Sequence, residues 1–499
     1  MQVVGENVYN ILSKEERVDM NGCVYVGRST VTTQTGKPLK KTLCFLEAEK
    51  LLPSLSDYGL PSRTSDAERT SFYLQASKRK LVQPPSNVNR NLVLEKLLPR
   101  YPKFMLSYSS FNDKKFDDEL NHCIDILKLD ASPGVPYMAL AKDNKALLES
   151  RDLVKTLVKD RIQIRLNTPN YRSMDQIELV QKGLCDPVRL FIKDELHKIT
   201  KIQEGRLRLI MSVSTIDKLI EMVLIRRIKE LEVDNWFAIP SVPGLGFTDE
   251  MSKILYQRVH NMAKPVSSDV SGWDWSCQQW LHEDAAEFTI MQCINPNSDW
   301  IRLIRMDAYI AGHSLYSTSD GDLYTLTIPG NINSGRFQTS RGNSLARNIV
   351  RMHVSDDLDL PNESLSMGDD CIEDEVENAQ AKYASLGITV KVYDKVDKDF
   401  EFCSRIFTEK GSYPANPQKL LGNILMTNPR THGELMTYIS AFETEMVNHP
   451  QYPFYANLLA SVGYLKLGGE QNINFEDLYY QNANKEPSEQ QSTKSTKST

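Results

Sequence analysis

Four aspartates are spaced so that they could gather charge for metal-assisted phosphoryl chemistry. Asp269 and Asp274 share the segment DVSGWD, and Asp369 and Asp370 follow Gly368 in MGDD, about a hundred residues later. Taken singly, Gly-Asp-Asp is a polar turn that glycine and aspartate favour anyway, and Asp269 is a solvated carboxylate at a strand end. On adjacent strands they could instead hold two Mg²⁺ ions roughly 3.5–4 Å apart, which activate an attacking hydroxyl and stabilise a leaving phosphate oxygen. Magnesium requires hard oxygen ligands and keeps water and substrate phosphates in its remaining positions. Mn²⁺ accepts the same donors. A strand ending at Asp269 beside a hairpin tip carrying Asp369 would supply that geometry.

Two further groups of polar residues flank this set. Ser334, Gly335, Thr339, Asn343 and Ser344 form the pattern S-G-x3-T-x3-N-S between the two aspartate pairs. Upstream, Lys193, Lys201, Arg206 and Arg208 form a basic run interleaved with Asp194, Glu195 and Glu204. Such a run is a solvated charged face, or it clamps a triphosphate and neutralises charge that builds up in phosphoryl transfer.

The elements that must position these residues can be read from periodicity. Ile216, Leu219, Ile220, Val223, Leu224, Ile228 and Leu231 recur at helical spacing, with Ser214 as the N-cap. KPVSSDV reads as a strand leading into Asp269, Thr339–Val354 as a helix with Leu345, Ile349 and Met352 on one face, and SLSMGDDCIED as a hairpin. Two helical patterns follow between Thr431 and about Leu467, and EPSEQQSTKSTKST reads as a disordered tail. The first hundred residues, punctuated by Pro and Ser, predict irregular structure with short elements. Short strands mixed with longer helices predict an α+β fold.

Composition bounds the alternatives. The 499 residues are 40% hydrophobic and 25% charged, which is ordinary globular usage. A net charge of −6 excludes a generally basic nucleic-acid binder but leaves room for a local basic channel. Eight scattered cysteines without a C-x-x-C pair point to reduced thiols rather than a zinc site. No apolar run is long enough to cross a bilayer, and the N-terminal stretch lacks the pattern of a secretory signal.

In order and separation, D-x4-D, S-G-x3-T-x3-N and G-D-D resemble the palm motifs of the RNA-dependent RNA polymerases of positive-strand RNA viruses. ASPGVPY (Ala131–Tyr137) is similar to their template-entry motif, with Ala131 departing at its first position. FIKDELHKITKIQEGRLRLI resembles the basic fingers motif, GITVKVYDK the segment carrying a lysine proton donor, and FCSRIF the primer-grip hairpin. DVSGWDWS and DPVRLFIKDELHK look closest to the sobemovirus–polerovirus group.

The resemblance implies a right-hand fold with fingers, palm and helical thumb. Expected bounds are 1–215 for an N-terminal extension and fingers and 216–408 for the palm, with a fingers insertion near 276–333. The thumb would span 409–485, ahead of the tail at 486–499. Implied roles are metal binding by Asp269, Asp369 and Asp370, and template contact by Ser132, Gly134 and Pro136. Lys193, Lys201, Arg206 and Arg208 would line the nucleotide route. Asp274, with Asn343 and Ser334 bridging, could read the ribose 2′-hydroxyl, which both donates and accepts hydrogen bonds. Gly335 would let the loop ahead of the Thr339 helix change conformation. Lys395 would be the general acid, worth about 10²–10⁴ in rate, although Lys391 and Lys398 lie close enough to be confused with it. The histidines His197, His313 and His353 lack metal-ligand spacing and read as structural.

Implied partners are template and product RNA, NTPs, a genome-linked protein primer and other viral replication proteins. The expected location is the host cytoplasm, on membranes only through partners. Two rivals stand beside this expectation: a reverse transcriptase, whose aromatic at the Asp274 position is missing here, and a non-catalytic RNA-binding scaffold.

Overall fold

The aspartate-bearing segments lie together in a four-stranded antiparallel sheet, ordered Ser364–Met367, Asp370–Asp374, Pro265–Val270, Val390–Lys395. This computed structural model describes residues 8–33, 40–358, 363–427 and 432–462, so the expected tail and the end of the expected thumb lie outside the described residues. Alternation makes the central strand: Val266, Ser268 and Val270 turn inward while Ser267 and Asp269 turn out.

Helix Thr339–Val354 packs under this sheet, with the bounds its periodicity predicts. Leu345, Ile349 and Met352 are buried as expected, in a core shared with Val270, Trp273 and Tyr383. The opposite face is buried too, although it is polar. Arg347 donates to Ser268 Oγ at 2.6 Å, to the Tyr383 hydroxyl at 2.8 Å and to the Asp369 carbonyl at 3.4 Å. Asn348 Oδ1 accepts from the Ser364 and Ser366 hydroxyls at 2.7 and 2.9 Å. Helix and hairpin are thus joined by satisfied buried polar groups, which fix one mutual placement more sharply than apolar packing would.

A second, seven-stranded sheet is assembled from distant segments. Cys23–Ser29 pairs with Asp322–Leu326, which pairs with Leu315–Ser317; that strand runs parallel to Val188–Ile192, and Leu209–Ser212 closes the edge. Helix Thr215–Asp234 follows, with Ser214 accepting from the Asp217 amide as its N-cap. It packs in a core with Trp300, Leu303 and Ile304 of helix Ser298–Gly312.

The N-terminal region differs from the expectation of irregular structure. It contributes a strand of seven residues to the sheet and the helices Leu43–Leu51, Ser65–Ala76 and Asn87–Leu97. Their apolar residues find partners far along the chain: Phe45, Leu55 and Tyr58 pack with Leu421, Phe442, Met446 and Tyr455. Those last residues belong to helices Pro417–Leu425, His432–Met446 and Tyr452–Ser461, the second and third matching the predicted pair.

Candidate active site

Register brings the carboxylates together. Cys371 pairs with Ser268 across the two central strands, so the next antiparallel step sets Asp370 against Asp269. The hairpin turns through Gly368 and Asp369 between the paired residues Met367 and Asp370. Gly368 has φ +71°, a value a two-residue hairpin loop needs and glycine supplies without strain. Its amide donates to Ser344 Oγ at 3.0 Å, so the last residue of the S-G-x3-T-x3-N-S pattern anchors the turn.

The charges gathered here are poorly balanced. Burial, then Asp369, Asp269 and Glu401, push the Asp370 carboxyl up to about 7. Burial and Asp369 push Asp274 up to about 7 as well, against a lowering pull from Arg208. Asp369 is raised by burial and by Asp269, although backbone hydrogen bonding, Arg347 and Arg208 oppose this. The Cys403 thiol, at the tight turn of the Phe400–Thr408 hairpin, is pushed well up by burial and by Asp370 and Asp369. One cation sits directly on the cluster: Lys391 Nζ donates to Asp269 Oδ2 at 2.6 Å.

The other expected residues take separate places. Lys395 lies along the same strand, opposite Val266, with Nζ 3.6 Å from Glu375. Asp274 and the 332–343 segment meet through the backbone, where the Ile332 amide donates to the Asp274 carbonyl at 2.9 Å. Among the described residues no side-chain hydrogen bond joins Asp274 to Ser334 or Asn343. Ser334 Oγ accepts from the Met211 amide at 3.2 Å, and Asn343 and Thr339 line a cavity of about 60 Å³. Gly335 is required by contact: a Cβ there would sit 2.4 Å from the Met211 carbonyl oxygen. The Thr339 hydroxyl donates to the Arg336 carbonyl at 2.8 Å, at the start of its helix.

The basic run is organised around one acid. Lys193, Arg208 and Lys419 approach Glu195 at 3.0, 3.4 and 3.7 Å, while Arg206 pairs with Glu204. The Lys201 ammonium is pushed down by burial and then by Arg206, Lys419, Lys198 and Lys391, so five cations face one region. His197 accepts from the Arg208 amide at 3.0 Å, a structural role as expected. Ser132, Gly134 and Pro136 form a turn on the start of helix Thr215–Asp234, where the Thr215 amide donates to Pro133 at 2.9 Å. Lys419, Glu401 and Arg347 enter the site without a sequence signal of their own, whereas Lys391 lies close to Lys395 in the chain and Cys403 lies in FCSRIF.

The donor set fits a hard divalent ion. Among the described residues no three His, Cys, Asp or Glu side chains form a ready-made cradle. Magnesium is usually held by one or two carboxylates with water and substrate phosphates, so a closed protein cage is not what it needs. Crowded carboxylates that raise one another's pKa are the chemistry that such a cation relieves.

A family model described as viral RNA-directed RNA polymerase matches residues 45–418. The replicase polyprotein P2AB of Southern bean mosaic virus is 32% identical over 436 residues, covering 82% of this chain and 43% of that protein. Protein P1-P2 of Potato leafroll virus is 31% identical over 431 residues, 80% of this chain and 39% of its own length. The RNA-directed RNA polymerase of Mushroom bacilliform virus is 34% identical over 314 residues, 60% of this chain and 75% of that one. The chain thus spans less than half of the two longer relatives. Among solved structures, a Sicinivirus 3Dpol RNA-dependent RNA polymerase superposes with a TM-score of 0.63 at 15% identity, covering 91% of this chain and 96% of that one. The α+β architecture therefore matches a right-hand arrangement of fingers, palm and thumb.

Proposed function

The chain belongs to the viral RNA-directed RNA polymerases, close to the sobemovirus and polerovirus replicases, and from that premise we propose that it extends RNA on an RNA template by two-metal nucleotidyl transfer. The observation that carries this is the convergence of Asp269, Asp369 and Asp370, the last two raised in pKa by burial and by neighbouring carboxylates, opposite a cluster of cations.

In this proposal the 3′-hydroxyl of the growing strand attacks the α-phosphorus of an incoming ribonucleoside triphosphate. A P–O bond forms as the bond to the bridging oxygen breaks, and pyrophosphate leaves. Asp269 and Asp369 would hold Mg²⁺, with Asp370 supporting them. When bound, the ions lower the pKa of the attacking hydroxyl and offset phosphate charge. Arg208, Lys193, Lys201 and Arg206 draw the triphosphate in and spread its charge. Asp274, its carboxyl pushed up by burial and by Asp369, can accept from a ribose 2′-hydroxyl when ionised and donate to it when protonated. Ser132, Gly134 and Pro136 lie along the template path, and the fingers, palm and thumb follow the bounds expected above. Template RNA, NTPs and a genome-linked protein primer are the proposed partners. Among the described residues no helix is long and apolar enough to cross a membrane.

Primer extension on a homopolymer RNA template with Mg²⁺ tests this. Incorporation of rNTP well above dNTP is expected. Equal use of dNTP would favour reverse transcription, and no extension by the wild-type chain would favour a scaffold.

A further inference from the structure

Lys391 occupies a position that a regular strand would not give it. Val390 pairs with Val270 and Val392 pairs with Asp269, so Lys391 is the extra residue of a β-bulge. Bulges recur beside active sites, where they re-aim a side chain. Here the re-aimed ammonium donates to Asp269 Oδ2 at 2.6 Å. The Lys391 side chain is 63% exposed and that of Asp269 33%, so both remain open to solutes. Asp370 and Glu401 attract the same ammonium.

An ammonium within hydrogen-bond distance of a carboxylate oxygen excludes a divalent ion from that oxygen, by contact and by repulsion between like charges. Lysine suits such a role: it is a compact point charge on a flexible stem and can leave without disturbing the sheet. We propose that Lys391 is a tethered counter-cation that competes with divalent ions for Asp269 and so keeps the intrinsic metal affinity of the site low. This rests on the polymerase assignment of Asp269 and adds a residue that sets the strength of metal binding there.

Mn²⁺ titration of the full chain, without RNA or nucleotide, followed by electron paramagnetic resonance, separates the possibilities. Lys391→Met should bind Mn²⁺ about fivefold or more tightly than wild type, within the span of ordinary site–site coupling. Lys391→Gln, a second neutral variant, should do the same, and Lys391→Arg should stay near wild type. Lys395→Met removes an equal charge from the same strand but not from Asp269, and should change the affinity by less than about twofold. Wild-type affinity in both neutral Lys391 variants, with binding lost in Asp269→Asn, would overturn the inference and leave the metal site intact. Unchanged binding in Asp269→Asn would instead overturn the assignment of the metal site itself.

Discussion

Two of the charge clusters in this molecule, one buried and one partly exposed, are built on opposite plans. In the first, beside helix Thr215–Asp234, Arg161 contacts Asp186 at 2.8 Å and Asp217 at 3.0 Å. Arg165 continues the chain to Asp217 at 3.0 Å and Asp307 at 3.4 Å, and Arg336 closes it onto Asp307 and Glu221. Arginines alternate with acids, and at Asp217 they outweigh the effect of burial and hold its carboxyl below the ordinary range. In the second, Asp269, Asp274, Asp369 and Asp370 face one another with Lys391 as their only direct ion-pair partner among the described residues. Balanced charge holds a structure in place, whereas unbalanced charge invites a cation from outside.

The largest expected effect tests the unbalanced side. Asp369→Asn should lower primer extension by roughly 10³-fold or more, at the upper end for deleting one group that stabilises transition-state charge. RNA affinity by filter binding should stay within about twofold. A variant that extends as well as wild type would reduce the cluster to a surface feature of the sheet.

Removing a charge from the balanced network should cost stability instead. Arg336→Met strands Asp307 and Glu221 without their shared partner, a loss of about 3–5 kcal/mol for a broken buried pair. Urea unfolding measures this, and a loss under about 1 kcal/mol would mean that the network is no more than a set of replaceable contacts.

These two clusters were unequally legible in the sequence. Asp269, Asp369 and Asp370 lie in short motifs whose strand and turn chemistry is local, and the Thr339–Val354 helix follows from the spacing of Leu345, Ile349 and Met352. The arginine network joins residues up to 142 positions apart, and no local pattern announces such pairings. The same holds for Arg347, whose partners Ser268 and Tyr383 belong to other elements. Lys391 was hidden differently: a bulge shifts the side-chain alternation by one, and alternation is all that a strand pattern provides. The N-terminal helices were obscured because Phe45 and Leu55 are buried by residues near the other end of the chain.

The sign of the charge effect should reverse between Asp370 and Asp217. Asp370 is raised from 3.8 to about 7, so the folded state holds its proton more tightly than the unfolded chain does. That contribution to stability is present in full below about pH 4 and is lost as pH climbs through 7. In EDTA, Asp370→Asn should therefore melt a few degrees above wild type at pH 8, with the gap closing toward pH 4. A lower melting temperature for the variant at pH 8 would mean that Asp370 is paired as Asp217 is.

The smallest expected effect separates two lysines on one strand. Lys395 lies opposite Val266 and approaches Glu375, with its side chain 77% exposed, whereas Lys391 is turned by the bulge onto Asp269. A general acid must reach the proton's destination within hydrogen-bond distance or through one water, and the Asp269 end of the strand is where that destination would be. Lys395→Leu should then change the single-turnover rate by less than about twofold, because an exposed ion pair of this kind contributes little to stability or charge. A tenfold slowing, with nucleotide affinity unchanged, would show that the strand rearranges around substrate to bring Lys395 in. The bulge at Lys391 would then be a hinge in the catalytic cycle as well as a fixed turn of the sheet.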